Sequence, residues 1–175
     1  MTMHSQTMSA ITGTGNPTTW KNAMGSLCRI GETPKHPLFE VTLEPKSSEY
    51  EEVIRGIWPL RKRVYREHYP EIHVVENDPY DQYSCVIYTR NSSGRMTSTV
   101  RIAFDGELGI PEVALVSDLV DQYQDAEIQF AELGRFVIDG ETQGLDGPLK
   151  NYYRAYYELG KRWGIDVYLN LFARK

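Results

Sequence analysis

The chain has 175 residues and a mass of 20.1 kDa, a length that suits one domain with a sizeable core. Its 41% hydrophobic and 25% charged residues are ordinary for a soluble globular protein. The net charge of −5 gives no general electrostatic reason to expect nucleic acid binding. No apolar run is long enough for a membrane span, and the N-terminus lacks the apolar core of a secretory signal. Cys28 and Cys85 are far apart without metal-type spacing, so we expect two reduced thiols in a cytoplasmic protein, with a disulfide as the alternative.

The chain begins with a stretch of low periodicity. Residues 1–37 are rich in Thr, Ser, Gly and Asn, which predicts a flexible or irregular N-terminal arm. Residues 38–175 are expected to form a single domain. Phe39–Leu43 alternates apolar and polar residues and predicts the first strand.

A helix is predicted next. Ser47 or Ser48 can cap it, and apolar residues then follow at helical spacing. Pro59 is expected to break or kink this helix, or to start a second one at its first position. The helical pattern ends before Pro70, and Glu71–Gln82 is acidic and rich in turn formers. The carboxylates of this loop resemble a metal loop only superficially, because the glycine and terminal glutamate of a calcium hand are missing.

The middle of the chain predicts a hairpin. Tyr83–Thr89 and Met96–Phe104 read as strands, and Asn91 and Gly94 in the intervening turn favour reversal. Arg101 lies inside the second strand, where a charge needs a partner. Residues 113–123 predict a short helix.

The stretch Ala126–Asp139 predicts a further strand that contains one acid and one base. Glu132 and Arg135 are three residues apart, so in a regular strand they point to opposite faces and do not simply pair with each other. A charge in an apolar strand is costly unless it meets a partner or a ligand. A structural ion pair and a polar site on a central strand are both open interpretations of this stretch.

The last third of the chain predicts a crossover. Gly140–Gly147 is a glycine-rich turn, Pro148–Trp163 is a helix with an aromatic face, and Ile165–Phe172 is a final strand. A strand, a helix and a second strand in this order predict parallel neighbours.

Four charged motifs follow one another between residues 58 and 138. They are LRKRVY at Leu60–Tyr65, ENDPYD at Glu76–Asp81, Arg101 after the hairpin turn, and ELGRF at Glu132–Phe136. In this order the chain resembles the acyl-homoserine-lactone synthases and the long-chain N-acyl amino acid synthases, two branches of the GNAT acyltransferases. Their corresponding motifs are a Leu-Arg pair followed by an aromatic residue, E-x-D-x-Y-D, a strand arginine and E-x-S-R-F. The resemblance implies an α/β (α+β) fold with a GNAT-like mixed sheet, antiparallel N-terminal strands and a βαβ crossover.

The resemblance also assigns roles to individual residues. It implies Glu132 as the general base and Arg135 as the organiser of that carboxylate in the catalytic pair. It implies substrate-binding roles for Arg61, Asp78, Asp81 and Arg101. The two aspartates would hold the cationic part of an amine substrate or lock the arginines into a network, and a purely structural ion-pair network is the alternative.

The chain departs from the family pattern in three places. Gly134 replaces the serine between the glutamate and the arginine, and the tryptophan that follows the helix in autoinducer synthases is missing. The C-terminal strands of the family are expected to be missing or divergent. The turn at residues 143–147 is loosely similar to the pyrophosphate loop of acetyl-CoA-dependent GNATs, which makes Gly144 and Gly147 candidates for cofactor binding through backbone amides.

The activity implied by the resemblance is transfer of a fatty-acyl group from a thioester to an amine. The donor is expected to be an acyl-carrier protein or coenzyme A thioester, used as a co-substrate without a tightly bound cofactor or metal. The acceptor is an amino acid or a molecule of the S-adenosylmethionine type. Basic residues suited to an acidic carrier protein are Lys62, Arg63, Arg66, Lys150, Arg154, Lys161 and Arg162. The rival interpretations are a non-catalytic GNAT-like binding domain and an acetyl-CoA-dependent acetyltransferase.

Overall fold

The protein folds around one mixed six-stranded sheet. A computed structural model describes residues 28–30, 39–42, 48–71, 76, 78–104, 108–121, 128–140 and 148–170. The strands are β1 (Cys28–Ile30), β2 (Phe39–Thr42), β3 (Ser84–Arg90), β4 (Met96–Phe104), β5 (Phe130–Ile138) and β6 (Val167–Leu169). The helices are α1 (Ser48–His68), α2 (Ser117–Asp121) and α3 (Pro148–Trp163), with short 3-10 helices at Pro79–Tyr83 and Val113–Leu115.

The strands lie in the sheet in chain order. Neighbouring strands from β1 to β5 pair antiparallel, and β6 is parallel to β5. The parallel pair is joined through α3, so the predicted crossover is confirmed. The α/β class with antiparallel N-terminal strands is also confirmed.

The two long helices cover opposite faces of the sheet. Val86 and Tyr88 of β3 pack with the apolar side of α1, whereas Cys85 and Ile87, the alternate residues of the same strand, belong to the cluster under α3. This alternation is the period of a strand that is buried on both sides. The central strands therefore separate two apolar layers, and any charge on them lies within one of these layers.

Helix α1 contains Pro59 within one continuous element, so the predicted break and the predicted start of a second helix are wrong, whereas the kink stays a prediction. The residues Tyr50, Val53, Ile57, Leu60 and Val64 are buried on one face, both before and after the proline. Packing of this continuous face compensates for the backbone hydrogen bond that proline removes.

The hairpin forms as predicted, with β4 at the expected residues and β3 one residue later. Asn91 Oδ1 accepts hydrogen bonds from the backbone nitrogens of Ser93 and Arg95. Gly94 takes a φ of 82°, which a residue without a Cβ adopts readily. The turn chemistry therefore fixes the reversal locally.

The N-terminal prediction needs one correction. Cys28–Ile30, predicted to belong to an irregular arm, pairs with β2 as the first strand of the sheet. Three residues carry too little periodicity for a sequence pattern to reveal a strand. The rest of the predicted arm lies outside the described residues, as do Gly144 and Gly147. No helix in the described part of the chain is long and apolar enough to cross a membrane.

Candidate active site

A bulge in β5 decides which charged side chains share a face of the sheet. Thr99 of β4 lies opposite Val137, and Arg101 lies opposite Gly134, so Val100 alone faces both Arg135 and Phe136. Arg135 takes a φ of 56°, the left-handed conformation of a bulged residue. The extra residue brings Arg135 to the α1 side, the side of Glu132. The prediction that these two side chains point to opposite faces is therefore wrong, because it assumed a regular strand.

The acidic loop after α1 folds into a capped turn over this face. Asp78 is the N-cap of the 3-10 helix Pro79–Tyr83, and its Oδ1 accepts a hydrogen bond from the backbone nitrogen of Tyr80 at 3.0 Å. Tyr50 of α1 donates its hydroxyl hydrogen to the backbone carbonyl of Asp81. These two contacts fix both aspartates above β4 and β5.

All six charged residues singled out in the sequence meet in one buried network. Arg101 is the centre of the network, because it contacts all three carboxylates. Its Nη1 donates to Asp78 Oδ2 at 2.8 Å and to Asp81 Oδ1 at 3.4 Å. Its Nη2 donates to Glu132 Oε1 at 3.4 Å. Arg61 Nη1 donates to Asp81 Oδ2 at 3.3 Å. Arg135 donates to Asp78 Oδ2 through Nη2 at 2.6 Å and Nε at 3.2 Å. Three carboxylates thus meet three guanidinium groups, which balances the charge inside an apolar layer.

The network retains hydrogen-bonding capacity that the protein does not use. Within the described residues, Arg61 Nε and Nη2, Arg101 Nε, Thr99 Oγ1 and Glu132 Oε2 are buried atoms without a hydrogen-bond partner. Buried polar atoms in folded proteins are nearly always paired, so these atoms are candidates for contact with a ligand or a water. Nε and Nη2 of Arg61 form one edge of its guanidinium, the geometry that binds a carboxylate with two parallel hydrogen bonds.

Electrostatics separate the two kinds of carboxylate in this site. Burial raises the pKa of Glu132 to about 7 and the nearby charge of Glu112 adds to the rise, although Arg101 and Arg135 pull it down. The pKa of Asp78 is lowered, because its hydrogen bonds with Arg135, Arg101 and the Tyr80 backbone outweigh its burial. Asp78 is therefore a fixed anion, whereas Glu132 exchanges a proton near neutral pH, as a general base must.

The comparison with protein families assigns the chain. A family model described as N-acyl amino acid synthase FeeM matches residues 56–170, more than half of the chain. The chain belongs to this family of N-acyl amino acid synthases. It is accordingly an acyltransferase, as the resemblance of its motifs implied.

Solved structures of the FeeM family and of autoinducer synthases share the fold. FeeM, an N-acyl amino acid synthase from uncultured soil microbes, matches with a TM-score of 0.58 and 11% identity, over 83% of this chain and 71% of that chain. The AHL synthase LasI matches with a TM-score of 0.53 and 16% identity, over 77% of this chain and 72% of that chain. No curated protein sequence matches the chain. At these identities the likeness to the two structures confirms the GNAT-like fold.

Sequence reasoning missed several contributors to the site. Tyr50 is one of the apolar residues at helical spacing in the predicted helix, a pattern that indicates burial only, and Thr99 and Glu112 belong to no motif. Tyr80, whose ring lies 5.8 Å from the guanidinium carbon of Arg101, was within a recognised motif but received no role. These residues act through long-range contacts that no local pattern records.

The predicted binding surfaces outside the network are less complete. The exposed basic residues Lys62, Arg63 and Arg66 lie on α1, and Arg154, Lys161 and Arg162 lie on α3, across the sheet. They therefore do not form one patch. Arg63 in addition donates to Asp139 at 2.7 Å, a carboxylate that it shares with Arg95. No group of three or more His, Cys, Asp or Glu side chains in the described ranges is arranged to hold a metal ion.

Proposed function

We propose that the protein transfers a fatty-acyl group from an acyl-carrier-protein thioester, or its coenzyme A counterpart, to the amino group of an amino acid or an S-adenosylmethionine-type acceptor. The product is an N-acyl amino acid or an acyl-homoserine lactone. The observation that carries the proposal is Glu132, whose pKa of about 7 and unpartnered Oε2 suit a base for an ammonium group.

The reaction needs a neutral amine beside a polarised thioester carbonyl. Glu132 accepts a proton from the substrate ammonium, directly or through a water, and the freed nitrogen attacks the carbonyl carbon. The carbon–nitrogen bond forms, the carbon–sulfur bond breaks, and the proton held by Glu132 passes to the leaving sulfur. The nitrogen releases its second proton to the carboxylate of Glu132 that this transfer regenerates, and from there to solvent. Backbone amides beside the parallel strands β5 and β6 would stabilise the oxyanion. Arg135 keeps Asp78 in place and organises the charges around the base.

The unpaired donors favour an acceptor that carries a carboxylate. The free edge of Arg61 and Nε of Arg101 offer hydrogen bonds to such a group, and Glu132 offers an acceptor to its ammonium. A zwitterionic amino acid presents both charges on adjacent atoms. The family name, N-acyl amino acid synthase, points to the same class of acceptor.

The choice of donor rests on exposed basic residues and on the family resemblance. The exposed basic residues of α1 or of α3 would meet an acidic carrier protein, but each helix supplies only part of the predicted set. We propose the carrier-protein thioester as the donor and the cytoplasm as the location, by resemblance to the synthases that share the motifs.

The test is product formation by the purified chain. Long-chain acyl-carrier protein or acyl-CoA is incubated with amino acids or S-adenosylmethionine, and products are identified by mass spectrometry. The wild-type chain should give an N-acyl product, and Glu132→Gln and Arg135→Ala should not. Glu51→Gln, an exposed glutamate on α1, is the control and should remain active.

Each alternative has its own result. Acetylation of an amine from acetyl-CoA, without long-chain product, would identify an acetyltransferase. No turnover of any donor by folded protein would favour a non-catalytic binding domain. Full turnover by Glu132→Gln would refute the assignment of the base.

A further inference from the structure

Gly134 lies between Glu132 and Arg135 on the face of β5 that carries the network. It replaces the serine of the related synthases, and its φ is outside the left-handed region, unlike that of Arg135. The φ angle at this position therefore does not require glycine. The reason for glycine lies in the space around it.

That space is filled by the Glu132 carboxylate. A Cβ built on Gly134 would overlap Glu132 Oε1, would lie 3.6 Å from Glu132 Cδ and would lie 3.3 Å from Arg101 Nη2. Oε1 is the same oxygen that accepts the hydrogen bond from Arg101 Nη2. The carboxylate thus folds back over residue 134 to reach Arg101, and only glycine leaves room for this arrangement.

We propose that Gly134 is a positioning residue, which sets the side-chain conformation of Glu132 by leaving the carboxylate the place that a side chain at 134 would take. The proposal rests on the proposed function for its catalytic meaning, because Glu132 is the base there. In this chain a Cβ at position 134 requires the Glu132 carboxylate to leave the place from which Oε1 pairs with Arg101.

The charges around Glu132 determine how the pKa of its carboxyl group changes when the group is displaced. Arg101 on β4 and Arg135 on β5 face the carboxylate and favour its anion, Glu112 in the loop before α2 disfavours it, and burial disfavours it most. Asp78, Asp81 and Arg61 complete the surroundings through Arg101. A carboxylate pushed off Arg101 but still buried loses its nearest cation, so its pKa rises further.

The experiment compares Gly134→Ala and Gly134→Ser with the wild type. The control is Gly140→Ala, just after β5, where an added Cβ meets no atom within 4 Å. Proteins labelled with ¹³C at the glutamate side-chain carboxyl are titrated by NMR, and Glu132→Gln identifies the Glu132 signal. Thermal unfolding checks that each variant is folded.

In Gly134→Ala the Glu132 midpoint should move to higher pH by about one unit, and the acidic limb of kcat/KM should move with it. Activity below both midpoints then falls about tenfold and recovers at high pH. Gly134→Ser should also displace the carboxylate, but its hydroxyl can donate to the anion and reduce the shift. Gly140→Ala should match the wild type in both measurements.

An unchanged Glu132 midpoint in folded Gly134→Ala and Gly134→Ser would overturn the proposal. The NMR titration does not depend on turnover. If the wild type proved inactive while the midpoint moved, the proposed function would fail and the positioning role of Gly134 would stand.

Discussion

The replacement of Glu132 by glutamine should change the free energy of unfolding in a pH-dependent way. The pKa of Glu132 is raised from 4.5 to about 7 in the folded protein. The folded state therefore binds this proton more tightly than the unfolded chain, and deprotonation favours unfolding. The penalty is absent below about pH 4.5, grows as the pH rises through the interval to about 7, and is constant above it.

The size of this stability penalty follows from the pKa shift of Glu132. A rise from 4.5 to about 7 corresponds to about 3 kcal/mol. Between about pH 5.5 and about pH 8, a range that avoids general acid denaturation, about 2 kcal/mol of this should appear. Glutamine has nearly the same shape and cannot ionise, so Glu132→Gln should gain this amount relative to the wild type as the pH rises.

Urea unfolding of both proteins at several pH values measures the difference directly. Groups common to both proteins cancel in the difference, which isolates residue 132. Glu51→Gln, at an exposed position of α1, is measured in parallel to account for the loss of one negative charge. A stability difference between Glu132→Gln and the wild type that is flat from about pH 5.5 to about pH 8, or that falls, would refute the reasoning from burial.

Three further predictions concern the network and the core. Arg101→Met should lower the free energy of unfolding by about 3–5 kcal/mol, because buried carboxylates lose their central partner. A loss below about 1 kcal/mol, measured by urea unfolding, would contradict this. Arg135→Gly should be more stable than Arg135→Ala by about 1 kcal/mol. Both variants lose the contact with Asp78, but only alanine keeps the strain of the left-handed backbone conformation. Equal urea unfolding midpoints of the two variants would disprove this strain. Burial raises the pKa of the Cys85 thiol, so a thiol-reactive reagent should modify Cys85 only in urea, as detected by peptide mapping. Rapid modification of Cys85 in the native protein would show that the core around it opens.

The elements that the sequence predicted well are those with strong local signals. Helix α3 begins and ends at the predicted residues, because Pro148 suits the first turn and Gly164, with a φ of 66°, suits the end. Strand β4 was also predicted to the residue, since a turn with Asn91 and Gly94 precedes it. Where such signals were absent, as at β1, or were overridden by tertiary packing, as at Pro59, the prediction failed.

The composition of the site was predictable, but its geometry was not. A charge inside an apolar strand requires a partner, which drew attention to Arg101, Glu132 and Arg135, and the resemblance added Arg61 and the aspartates. The structure brings these side chains together, and their roles in catalysis and binding stay predictions. The bulge at Arg135 arises from the register of β5 against β4, which no pattern within β5 records. The close approach of Gly134 to the Glu132 carboxylate depends on the same pairing of β5 with β4.

The bulge also increases the number of residues that one strand places on the same face of the sheet. A regular strand offers every second residue to a given face. Here Glu132, Gly134, Arg135 and Val137 all face α1, so two adjacent residues share a side. Substitutions can alter this crowded stretch one group at a time, whereas the loss or gain of a single residue within it would turn its remaining members to the opposite layer. The length of β5 between Glu132 and Val137 is therefore as much a part of the site as the side chains it carries.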